Sequence, residues 1–93
     1  MIEPVEVIAI FAKDKNANIK NHFKPYSPGK VRPVRFKYKE LRISIDSIHN
    51  TYEETIEGEK VLGYRCLNKK RGYYYHLLFY TQQLKWFIKY ENN

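Results

Sequence analysis

A chain of 93 residues has room for one domain and one core, and its nine Tyr, five Phe and one Trp supply the apolar bulk that so short a chain needs. The single cysteine excludes an internal disulfide and fits a reducing cytosol. With no run of eighteen apolar residues and no signal-peptide pattern, the expectation is a soluble cytoplasmic protein with no membrane association.

The formal charge of +7 suits a polyanionic partner, but it suits plain solubility equally well. Its distribution says more. Residues 13–42 carry ten Lys or Arg against Asp14 and Glu40. Residues 43–59 hold Asp46, Glu53, Glu54, Glu57 and Glu59 and no base, and residues 60–89 hold seven bases and no acid.

Residues 5–13, VEVIAIFAK, are β-branched and aromatic without helix-cap signals, and they predict a first strand. Because Ile8 and Ile10 join Val5, Val7, Ala9 and Phe11, its middle is expected to be buried on both sides or to lie at a sheet-to-sheet crossing. Residues 14–33 carry Asn, Pro, Ser and Gly with no apolar period and predict a long loop, of the length that is usually functional or mobile.

Val34-Arg35-Phe36-Lys37-Tyr38 alternates, with the bases on one face, as a half-buried strand does. Lys39-Glu40 has the length of a two-residue hairpin turn, although neither residue favours positive φ. Residues 41–48 alternate again until Ile48 breaks phase, which predicts a bulge or bend near Ser47. Over residues 49–60 two readings stay open. Ile48, Tyr52 and Ile56 have the spacing of a helical face, whereas Thr51, Tyr52, Thr55 and Ile56 prefer strands.

Residues 61–67 give a further strand, and Asn68 to Gly72 a hairpin loop with glycine where positive φ is easiest. The hairpin of residues 73–80 and 84–90 is the most aromatic part of the chain. It puts Tyr73, Tyr75, Leu77 and Phe79 on one face and Tyr74, His76, Leu78 and Tyr80 on the other, with Trp86 as a core plug. The pattern predicts a single all-β domain over residues 1–93. Its form is a small antiparallel six-stranded barrel (SH3-like) or a meander sandwich, with a long loop after the first strand and room for one short helical turn.

Pro33, the strand that follows it, the alternating strand over 41–48 and the tyrosine-rich pair ending in Lys85-Trp86-Phe87 resemble a family of small bacterial proteins of unknown function. The resemblance covers roughly residues 33–90. It implies a compact β-fold and carries no established activity.

Chemistry-bearing patterns are sparse. His22, His49, His76 and Cys66 lack the spacing of a zinc site, and no glycine-rich loop cradles a phosphate. Glu53, Glu54, Glu57 and Glu59 read as a solvated cluster rather than opposed catalytic carboxylates. The chain is therefore expected to be non-catalytic, with no metal and no cofactor.

The sharpest pattern is Lys69-Lys70-Arg71-Gly72-Tyr73-Tyr74-Tyr75, three cations beside three rings, with Arg35 and Lys37 on the half-buried strand. Such sets neutralise phosphates while bases stack on side-chain faces. Arg71, Gly72, Tyr73 and Tyr75 are similar to the opening of the RNA-recognition motif's central strand. Tyr74, His76 and the missing helices depart from it. The blander reading is a basic hairpin loop leading into a core strand. A nucleic acid or other polyanion is thus the first expected partner. The alternative is a protein-interaction module that uses an edge strand or aromatic patch, with a protein partner or a homodimer.

Overall fold

The computed structural model describes residues 2–11 and 30–89, and among these the chain is all-β. In chain order the strands are β1 (Ile2–Pro4), β2 (Glu6–Phe11), β3 (Val31–Tyr38), β4 (Leu41–Ser44), β5 (Ser47–Ile56), β6 (Glu59–Asn68), β7 (Tyr73–Tyr80) and β8 (Lys85–Lys89). They form a five-stranded sheet, ordered β1-β8-β7-β6-β5, and a three-stranded sheet, ordered β2-β3-β4. Every pairing is antiparallel.

The six-stranded SH3-like barrel expected from the sequence is not seen among the described residues, because neither sheet closes on itself. The chain crosses between the sheets at two points, and the second divides an expected strand. The first is at Val5, where the expected first strand begins, between β2 and the unforeseen β1; the Val5 amide donates to Trp86 O at 3.1 Å. The strand expected over 41–48 splits at Ile45-Asp46, where Ile45 N donates to Val34 O in one sheet and Asp46 N to Leu67 O in the other, both at 2.9 Å. Alternation continues across such a crossing, so the pattern reads as one strand where the backbone makes two. The bulge expected near Ser47 follows directly, as a register shift between Ile48 and Asn50.

The open choice over 49–60 resolves as strand, and no helical turn forms there. An i, i+4 spacing is also an even spacing, so Tyr52 and Ile56 share a strand face as readily as a helix face. Residues 31–33, expected in the loop, begin β3 instead. Pro33 is tolerated because β4 pairs only with Arg35–Tyr38, leaving Pro33 a neighbour on one side only, and because a register shift lies beside it. The rest of the expected loop lies outside the described residues.

The core lies between the sheets. Val31, Phe36 and Ile43 of the smaller sheet meet Leu62, Tyr64, Cys66, Leu77, Phe79, Trp86 and Ile88 of the larger. Trp86 packs at 4.8 Å from the Phe79 ring and 5.7 Å from Tyr64, as a plug should. Burying one large apolar side chain contributes roughly 1.5–3 kcal/mol, so this set is the main source of stability. A second, smaller cluster of Val61, Leu78 and Tyr80 sits on the outer face of the larger sheet. Double-sided burial therefore belongs to β6 and β7. It does not belong to β2, where Ile8 and Ile10 are 55% and 59% exposed while Val7 and Ala9 pack on the core and the Phe11 ring meets Phe79 edge-on at 5.8 Å.

The outer face has one steric requirement. The Tyr52 ring lies on Gly63, and a Cβ there would overlap the ring's Cζ, Cε1 and hydroxyl. Tyr52 Oη is thereby brought into a hydrogen bond with His76 Nε2. The β3–β4 turn has the two-residue length expected, with Lys39 and Glu40 at φ 49° and 67°. Both signs are those of a type I′ turn, whose twist matches the flanking strands even though the side chains are unfavourable.

Candidate functional site: a basic groove at the sheet corner

β6 runs on into the turn before β7, and that turn is tied to the smaller sheet. Asn68, itself buried, donates from Nδ2 to Ser44 O at 2.7 Å and accepts from Arg71 N at Oδ1 at 2.8 Å. Asp46 Oδ2 accepts from Lys69 N at 2.6 Å. Gly72, at φ 70°, donates to Asn68 O and closes the turn. The backbone of the tip is thus fixed on both sides, while Lys69, Lys70 and Arg71 point their charges into solvent.

These three cations, with Arg42, Ser44, Asp46 and Asn68, line a hollow of about 690 Å³. Arg42 also lines the adjoining hollow of about 380 Å³, together with Arg35 and Lys37. The strand register explains the arrangement. Lys37 is opposite Arg42 and Arg35 opposite Ser44, so all four side chains leave the same outward face of the smaller sheet. Among the described residues, none of Arg35, Lys37, Arg42, Lys69, Lys70 and Arg71 lies within ion-pair distance of a carboxylate. The one carboxylate in the larger hollow, that of Asp46, is engaged by a backbone amide.

The three predicted tyrosines do not act together. Tyr75 turns inward and meets the Phe36 ring edge-on at 5.1 Å. Burial raises its phenol pKa, and the neighbouring Arg71 charge pulls the other way. Tyr73, on the same side but beyond the cover of the smaller sheet, is 61% exposed. Tyr74 faces outward, where the Arg65 guanidinium lies 4.1 Å from its ring centre and His49 meets it edge-on at 5.2 Å. The structure therefore joins Lys69, Lys70 and Arg71 to Arg35 and Lys37, leaves Tyr73 open, and takes Tyr75 into the core. Reasoning from sequence missed Arg42 as the link. Its outward position in an alternating strand was visible, but the strand's neighbour across the corner was not.

Other reactive groups are accounted for by packing. Cys66 is buried, its Sγ donates to Tyr64 O at 3.8 Å, and burial pushes its thiol up to about 12. Burial likewise raises the Tyr64 phenol, whose hydroxyl finds no hydrogen-bond partner among the described residues. Neither group is set up as a nucleophile at neutral pH. Among the described residues no group of three or more His, Cys, Asp or Glu is placed to hold a metal, and no helix is long and apolar enough to cross a membrane. His22 lies outside the described residues.

Among the described residues, fold and groove together define an all-β, two-sheet protein with a predominantly cationic corner, in which Asp46 lines the larger hollow and Glu6, opposite Lys37, the smaller. Comparison of the chain with protein-family models, curated proteins and solved structures finds no match.

Proposed function

We propose that this protein is a non-catalytic binder of nucleic acid or a similar polyanion, acting in the cytoplasm through the groove that runs from Arg35 and Lys37 past Arg42 to Lys69, Lys70 and Arg71. The observation that carries the reading is the place of Arg42 in both hollows, which makes one cationic track from bases far apart in sequence. Cations gathered without carboxylate partners repel one another, and a bound polyanion relieves that repulsion while releasing its own counterions. The resemblance over residues 33–90 has no activity to add.

If all six cations engage phosphates, the logarithm of affinity falls against that of salt with a slope of about −5 for duplex and about −4 for a single strand. Replacing Lys69, Lys70 and Arg71 together by Glu is expected to weaken oligonucleotide binding by about a hundredfold or more in fluorescence anisotropy at low salt. Unchanged affinity in that variant, with its circular dichroism intact, sinks the proposal.

A second reading, self-association or a protein partner, is favoured by Ile8 and Ile10, exposed on the outward face of the edge strand β2. Edge pairing through β2 would extend the smaller sheet and cover both side chains. Sedimentation should then show a concentration-dependent dimer that Ile8→Lys disrupts. A monomer at all concentrations removes the homomeric form of this reading.

A further inference from the structure

We infer that the groove takes a single-stranded nucleic acid, with Lys69, Lys70 and Arg71 on its phosphates and one unpaired base stacked on Tyr73. The inference rests on the proposed polyanion role and narrows it to one kind of ligand and one stacking residue.

Shape comes first. A β-hairpin can read a duplex when its tip protrudes enough to enter a major groove about 12 Å wide. This tip is held down, by Asn68 on Ser44 O and by Asp46 on Lys69 N, so its cations form the wall of a hollow. A flexible single strand can follow a concave wall, whereas a rigid duplex meets it only at the rim.

The second argument separates the two exposed tyrosines. Tyr74 already has the Arg65 guanidinium over its ring and His49 against it. Tyr73 is the more exposed, at 61%, and its ring contact is the perpendicular one with Tyr75 at 6.4 Å. It follows the tip directly, separated from Arg71 by Gly72 alone. An open ring two residues from a cationic tip is what sequence-tolerant single-strand binding uses. The fixed backbone of the turn preorganises both parts, so little ordering entropy remains to be lost on binding.

The test is anisotropy with a labelled twelve-nucleotide oligo-uridine, the matching oligo-thymidine, a blunt duplex of the same length, and inorganic polyphosphate as a base-free competitor. Wild type is expected to bind the single strands more tightly than the duplex, and comparison of the two single strands distinguishes RNA from DNA as the preferred source. Tyr73→Ala should lose about tenfold in single-strand affinity, Tyr73→Phe should retain it, and competition by polyphosphate should be the same in all three proteins. Equal loss toward polyphosphate, no loss in Tyr73→Ala, or a duplex bound as tightly as the single strands overturns the inference. If polyphosphate and duplex bind as well as single strands, the polyanion role stands and the stacking role falls. If no polyanion binds, both fall.

Discussion

The two ends of β6 are built from similar parts to opposite ends. At its start lies the acidic turn through Glu57 and Gly58; at its finish, about 30 Å away for a ten-residue strand, lies the basic turn through Lys69 to Gly72. Each end has a buried polar residue that organises a neighbouring turn. At the acidic end Glu59 accepts at Oε2 from Gln82 N at 2.8 Å and Gln83 N at 3.0 Å, and at Oε1 from Gln83 Nε2 at 2.8 Å. Thr81 adds bonds from its amide and hydroxyl to Lys60 O, and Lys60 pairs with Glu53 at 3.2 Å. Glu53 and Glu59 are thus engaged within the protein, while Glu54 and Glu57 stay exposed with no ion-pair partner among the described residues. At the basic end Asn68 and Asp46 bind backbone, and none of the tip cations has an ion-pair partner among the described residues. A cluster of like charges is thus no guide to function until its partners are counted.

The comparison can be broken most widely in binding. Exchanging the tip cations for Glu should remove polyanion affinity, whereas Glu59→Gln should leave it unchanged in the same anisotropy assay. Next in size, Asn68→Ala removes two hydrogen bonds and leaves Ser44 O and Arg71 N without those partners, so a loss of about 2 kcal/mol is expected in urea unfolding. The loosened tip should also bind oligonucleotide more weakly. Retained stability and affinity would show that the tip does not depend on its anchor.

The smallest effect lies in acid. The Gln83 side chain, with the Gln83 and Gln82 amides, holds the Glu59 carboxyl below its ordinary value of 4.5, against the opposing effect of burial. A carboxyl lowered by folding contributes stability above its unfolded value and loses it as pH falls through the native one. Thermal melts of wild type and Glu59→Gln should therefore differ most at neutral pH and converge below pH 4.5. A difference that stays constant through that range would mean that the charge of Glu59 contributes nothing.

Much of the fold was legible because period-two alternation survives in Val34 to Tyr38 and in residues 73–90, and because Lys39-Glu40 left room only for a tight turn. What escaped was where the chain changes sheets. At Val5 and at Ile45-Asp46 the side chains keep alternating while the hydrogen-bond partners change, and partners leave no mark on a local pattern. The site was legible by halves for the same reason. Lys69 to Arg71 and Arg35 with Lys37 stand out in the sequence, but Arg42 acquires its meaning from a register that sequence does not state. Tyr73, Tyr74 and Tyr75 look equivalent in a row, and only the reach of the smaller sheet distinguishes them.

The larger sheet is assembled from strands of very unequal separation. β5, β6, β7 and β8 follow one another through short turns, whereas β1 reaches its place by pairing Ile2 with Lys89 across nearly the whole chain. Local ladders are quick to form, and distant ones wait on the entropy of closing the intervening loop. The topology therefore predicts that the four-strand meander collapses onto Trp86 before the first strand docks. Val5 N, bonded to Trp86 O, is the latch that records its arrival.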